Sequence, residues 1–274
     1  MRPRTWISAL MLGAVLGTAS CGGPPGAPQP LPTIVEPTVR AVEPQPPPAQ
    51  SPSISQPLEP AQSAPPSPTE IPQVASSAFR DDFNGSFDSG WSWYQGDTPG
   101  SSLTHTPGWL RLNLSKGSFQ GDTPPQNLLV REAPPGNFEM STWLRFNPHN
   151  NFELAGLVVV FDDQSVLQFG RGGCFFETQA PGCIGDGLYF DNIHAGAPVG
   201  GNFAAQSFLG LDYVLRLRRQ GKSYSASYSN DGSNWTPLGS HTVDRAPVSV
   251  GLIAAQATVA NPYADFDYFE LSQQ

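Results

Sequence analysis

The sequence predicts an all-β protein, two antiparallel sheets packed as a sandwich behind a long unstructured tether. Three observations carry this. Several short runs beyond residue 79 alternate apolar and polar side chains with a period of two, as half-buried strands do. Turn signals separate them, namely Asp162-Asp163, Gln220-Gly221-Lys222 and Asn230-Asp231-Gly232, the last with the Asp-Gly step that favours a tight hairpin. No window of eleven or more residues keeps a helical period, and the recurrent Gly and Pro would interrupt one.

In chain order, residues 1–20 are expected to be a secretory signal peptide. Arg2 and Arg4 open it, residues 7–16 are apolar, and Thr18-Ala19-Ser20 are small. The apolar run is shorter than the roughly 20 residues that cross a bilayer. Cys21 directly after small residues resembles the lipobox of bacterial lipoproteins, with Thr18 where Leu is usual, which implies a diacylglycerol on its thiol. Gly22 differs from the Asp associated with inner-membrane retention, so a membrane-anchored lipoprotein on the extracellular face is expected, with plain secretion as the alternative.

Residues 21–77 read as the lipidated cysteine and a disordered proline-rich tether. More than half of the 30 prolines lie between Pro24 and Pro72, and Trp6 is the only aromatic residue before Phe79. Such a segment cannot bury enough apolar area to offset the entropy of ordering it. It favours extended polyproline II, which at about 3 Å per residue would hold a domain on the order of 100 Å above a membrane.

The folded unit is expected over residues 78–274, a length that suits one sandwich. Residues 109–114 place Leu110, Leu112 and Leu114 inward against Trp109, Arg111 and Asn113. Residues 137–146 place Phe138, Met140, Thr142, Leu144 and Phe146 opposite Glu139, Ser141, Trp143 and Arg145. Residues 213–219 set Tyr213, Leu215 and Leu217 against Arg216 and Arg218, and residues 223–229 alternate serines with Tyr224, Ala226 and Tyr228.

Asp81-Asp82-Phe83-Asn84-Gly85 with Trp91-Ser92-Trp93, then Arg219-Gln220-Gly221-Lys222-Ser223-Tyr224 running into Tyr228-Ser229-Asn230-Asp231-Gly232-Ser233-Asn234-Trp235, then Phe266-Asp267-Tyr268-Phe269-Glu270-Leu271 follow one another in an order that resembles a known module. It is the concanavalin A-like domain at the C-terminus of bacterial family-43 β-xylosidases, also found in stand-alone secreted proteins. The resemblance implies a two-sheet concanavalin A-like jelly-roll sandwich, usually non-catalytic and associated with carbohydrate. The five-bladed catalytic propeller of the xylosidases has no counterpart here, so their activity does not carry over.

Candidate functional residues follow from composition and alternation. A net charge of −9 works against nucleic acid, whose binding rests on Lys and Arg neutralising phosphates. Cys174 and Cys183 are expected to be disulfide-bonded in an exported chain, closing a Gly- and Pro-rich loop; a zinc site would need two more ligands, and His194 is the only imidazole nearby. Asp81-Asp82 and Asp265-x-Asp267 would meet if the first and last strands are neighbours, and hard carboxylate oxygens suit a structural Ca²⁺ through Asp82 and Asp267; otherwise these aspartates cap turns and face water. Asp265-x-Asp267-x-x-Glu270 also resembles the Glu-x-Asp-x-x-Glu strand of laminarinase-type glycoside hydrolases, but plain alternation puts Glu270 on the opposite face unless a bulge intervenes. No nucleophile elbow, zinc-protease helix or phosphate loop is present in the sequence.

Outward rings beside polar groups are the candidates for a ligand, because the C–H faces of sugars stack on rings while their hydroxyls take polar partners. Trp143 beside Arg145, Trp109 beside Arg111, and Tyr189 and Gln168, each opposite apolar neighbours, are the expected contacts, with Trp143 at the centre. The expected form is a monomer that engages an oligo- or polysaccharide without cleaving it.

Overall fold

A computed structural model describes residues 78–95, 100–121, 123–176, 182–206, 210–256 and 262–274. Among them are sixteen strands: β1 Ala78–Asp81, β2 Ser92–Trp93, β3 Ser101–Ser102, β4 Leu110–Asn113, β5 Leu128–Glu132, β6 Phe138–Arg145, β7 Leu154–Asp162, β8 Ser165–Cys174, β9 Gly185–His194, β10 Ala197–Pro198, β11 Phe203–Gln206, β12 Asp212–Gln220, β13 Ser223–Ser229, β14 Thr236–Thr242, β15 Ser249–Ala255 and β16 Tyr263–Gln273. The first sheet runs β14-β13-β12-β6-β16-β4-β3 with β1 also on β16, and the second runs β10-β9-β8-β7-β15-β5-β2 with β11 also on β9. Every pairing is antiparallel. The all-β sandwich expected from the sequence is the fold.

Alternation explains the first sheet. The inward residues of β4, β6, β12 and β16, among them Leu110, Leu112, Phe138, Met140, Leu144, Leu215, Leu217, Phe266 and Phe269, are fully buried. They meet Leu157, Val159, Leu167, Phe169, Phe190 and Leu252 of the second sheet in one core. Each large side chain so buried contributes about 1.5–3 kcal/mol. The first and last strands are neighbours, with Arg80 opposite Glu270 and Asp81 opposite Phe269. Trp91 packs on Phe269 with ring centroids 4.9 Å apart, and Trp93 packs edge-on to Phe87.

The second sheet is covered on both faces. Its outer residues Leu154, Val158, Val160, Val166, Ile193 and Ile253 form a second apolar cluster capped by Phe119 and flanked by Tyr94. Hence β7 and most of β8 and β9 are buried along their whole length, and no alternation marks them in the sequence.

Candidate functional site

The structure divides the expected ligand residues between opposite sides of the sandwich. Trp143, Arg145 and Trp109 lie on the outer face of the first sheet, whereas Gln168 and Tyr189 lie on the outer face of the second. They do not form one site.

On the first sheet, β16 bulges between Phe266 and Phe269, so that two residues, Asp267 and Tyr268, stand against Trp143 alone. The Thr142 hydroxyl holds the bulge by donating to the Tyr268 carbonyl at 2.6 Å. Trp143 is consequently half-buried, with its indole N–H closed to solvent and unpartnered among the described residues, rather than standing free on the surface as alternation suggests. Arg145 forms two 2.7 Å hydrogen bonds to Asp212 and lies 4.7 Å from the Trp109 ring centroid. Polar groups on this face are largely spent on one another.

The bulge also shifts the phase of alternation, so Asp265, Asp267 and Glu270 all face outward. The catalytic reading gains nothing from this. Asp265 is gripped by Arg111 through two bonds of 2.7 Å, and Glu270 pairs with Arg80 at 3.0 Å. The calcium reading fares no better. Asp81 turns inward to accept from the backbone N–H groups of Phe83 and Asp88 and from the Trp91 indole, and Asp82 pairs with Arg80 at 2.8 Å. Burial pushes the Asp267 carboxyl up, and the nearby Asp82 adds to this while Arg80 and Arg145 oppose it. Among the described residues no three His, Cys, Asp or Glu side chains converge as metal ligands.

The second sheet carries a cleft of about 210 Å³ on its outer face. Gln168 from β8 and Tyr189 and Asp191 from β9 line it together with Glu153, Phe152, Phe176, Asn202 and the Cys174–Cys183 pair. Cross-strand pairing sets Gln168 directly opposite Asp191, and the Gln168 amide donates to Asp191 Oδ2 at 3.0 Å. The remaining oxygens, Gln168 Oε1 and Asp191 Oδ1, are buried with no donor among the described residues. Each such acceptor costs about 1–3 kcal/mol while it stays unmet. Burial pushes the Asp191 carboxyl up to about 6, with the Gln168 hydrogen bond opposing it.

The cleft walls are fixed locally. Glu153 accepts from the backbone N–H groups of His149 and Asn150 and from the Asn150 amide, at 2.8, 3.1 and 2.8 Å. Tyr189 donates its hydroxyl to the Gly185 carbonyl at 2.7 Å, leaving its ring to the wall, and burial pushes that hydroxyl's pKa up. Cys174 and Cys183 are bonded, with Cα atoms 5.2 Å apart, as expected from the sequence. Phe152 and Phe176 stand at the mouth, 54% and 44% exposed, with ring centroids 5.4 Å apart. Phe152 holds φ at +71°, a left-handed conformation that is costly for a bulky residue. Sequence reasoning named Gln168 and Tyr189 but not Phe152, Glu153 or the partner of Gln168, Asp191. The signal available was Asp191 sharing a strand face with Tyr189. Cys21 lies outside the described residues.

Comparisons with known proteins agree with this architecture. The profile of the β-xylosidase C-terminal concanavalin A-like domain matches residues 80–272. A xylan 1,3-β-xylosidase from a Vibrio species is 28% identical over 188 residues, which cover 62% of this chain and 32% of that protein. The same fold occurs in the GH43 protein BlXynB from Bacillus licheniformis, with a TM-score of 0.58 at 20% identity over 70% of this chain and 38% of that one. It occurs also in a xylan β-1,4-xylosidase from Bacillus halodurans, with a TM-score of 0.58 at 21% identity over 71% of this chain and 39% of that one. The match thus spans about a third of the curated relative. The chain belongs to the family of β-xylosidase C-terminal concanavalin A-like domains.

Proposed function

We propose that the sandwich binds saccharide without cleaving it. In this reading residues 1–20 direct export, Cys21 carries a lipid, and the rest of 21–77 is a tether that holds the domain at a cell surface. The observation that carries the binding role is the pair of unmet acceptors, Gln168 Oε1 and Asp191 Oδ1, at a cleft walled by the Tyr189 ring. Sugar hydroxyls supply the missing donors and sugar C–H faces suit the aromatic walls. Membership in a domain family of xylosidases supports a carbohydrate partner. The absence of cleavage is supported by the pairing of Asp265 and Glu270 on the first sheet with arginines and by Glu153, whose oxygens are both occupied by the loop beside it. A hydrolase needs two carboxyl groups free to act across one bond.

A screen of the full-length chain, purified in detergent, against immobilised plant and microbial cell-wall glycans tests this. Binding in the micromolar to millimolar range, on the order of −4 to −8 kcal/mol, is the expected result. Many tethered copies would then hold a polymer by avidity. Failure to retain any glycan overturns the reading, and release of shorter sugars from a bound glycan overturns its non-catalytic part.

A further inference from the structure

Given that the cleft binds saccharide, we propose that it takes a single uncharged sugar ring at a chain end or side branch, seated on Phe152 and Phe176, and rejects rings that carry a carboxylate or sulfate. Size, charge and the two rings at the mouth point the same way. A cavity of about 210 Å³ falls below the roughly 300–1,000 Å³ of clefts that hold drug-sized ligands, so it suits one ring and not an extended run of them.

Charge sets the class. Of the described residues lining the cleft, Glu153 and Asp191 are the acidic ones, and none is Lys, Arg or His. Arg171 on β8 does not compensate them. It is held by Asp186 at 2.5 Å and donates to the Gly210 carbonyl at 3.2 Å. An anionic ring would bring a third negative charge against two that lack a cation, in surroundings where water screens poorly. A neutral ring instead offers hydroxyl donors to Gln168 Oε1 and Asp191 Oδ1.

The mouth supplies the platform. Two phenyl rings stand partly exposed side by side, and one of them holds a left-handed backbone angle. An unfavourable angle at a bulky residue beside a cleft is the observation from which a contact role for Phe152 is inferred. The Phe152 amide N–H donates to the Gly173 carbonyl at 2.7 Å, and the Phe175 N–H donates to the Asn151 side chain. Both rims are thereby tied to the end of β8.

The test uses the full-length chain in detergent and calorimetric titration with β-1,4- and β-1,3-linked glucose tetrasaccharides, each also prepared with its non-reducing end oxidised to glucuronic acid. Acid-ended tetrasaccharides are expected to bind at least tenfold more weakly than their neutral counterparts. Asp191→Asn should narrow that gap to about threefold, because the amide no longer repels. Phe152→Gly, which relieves the backbone angle, should weaken neutral binding at least fivefold without lowering the melting temperature. Equal affinity for neutral and acid-ended forms overturns the charge selection. Neutral binding unchanged in both Phe152→Gly and Gln168→Ala overturns the assignment to this cleft while leaving saccharide binding intact. Glycan capture confined to long polymers, with no tetrasaccharide bound, overturns the single-ring reading.

Discussion

Asp191→Asn should stabilise the protein at neutral pH and do almost nothing in acid. Burial raises the folded-state value of this carboxyl to about 6, against about 3.9 in an unfolded chain. The folded state therefore holds the proton more tightly. Stability from this group is complete below about pH 4 and is lost as the pH climbs through about 6. The gap corresponds to roughly 3 kcal/mol of stability lost by the native protein between pH 4 and pH 8. Asparagine carries no charge to bury and keeps an oxygen to accept from Gln168, so it escapes the loss. The titratable groups that line the cleft with Asp191, Tyr189 and Glu153, bring no cation that would offset the penalty. In a domain of this size about 3 kcal/mol corresponds to roughly 6–12 °C in melting temperature. Urea and thermal melts of both proteins at pH 4, 5, 6, 7 and 8 provide the assay, with curves that coincide at pH 4 and separate above pH 6. Curves that run parallel across the whole range would refute the reasoning, because they would place the Asp191 carboxyl in contact with solvent.

Four further outcomes are expected. Trp143→Ala should leave saccharide affinity unchanged, since that ring is on the opposite sheet from the cleft, and a tenfold loss measured by titration would return the site to the first sheet. Replacing Cys174 and Cys183 together by Ser should cost roughly 2–3 kcal/mol in denaturant melts, the chain-entropy value for so short a ring, and non-reducing peptide mapping of the native protein should recover the linked pair rather than two free thiols. Arg111→Met should destabilise by about 3–5 kcal/mol, because it strands the buried Asp265 carboxylate; a loss under 1 kcal/mol in the same melts would show that water reaches that carboxylate. Cys21→Ala should shift the protein from the detergent phase to the soluble or uncleaved pool, and a mature N-terminus downstream of Cys21 without lipid mass would exclude the anchor.

What the sequence determined by itself is the part of the molecule in which one face of a strand is wet and the other dry. The alternation of residues 137–146 foretold β6 with its inward set of Phe138, Met140, Thr142 and Leu144, and residues 223–229 are β13 at the expected bounds. The Cys174–Cys183 bond was legible as well, from the spacing of two cysteines, whereas the pairing of the first and last strands entered the sequence reading only as a condition and is supplied by the fold. Tertiary structure decided the rest. Alternation states which side chains share a face but not what lies over that face, so β7 gave no signal once the cluster around Phe119 covered its outer side. A single inserted residue in β16 changed the phase after Phe266 and closed Trp143 beneath its neighbours. Tyr189 and Trp143 read alike as outward rings, yet strand order put them on opposite sheets. The unmet pair at the cleft exists only because β8 and β9 lie in a register that sets Gln168 against Asp191, and contacts between strands are set by packing across the whole sandwich, which no local pattern encodes.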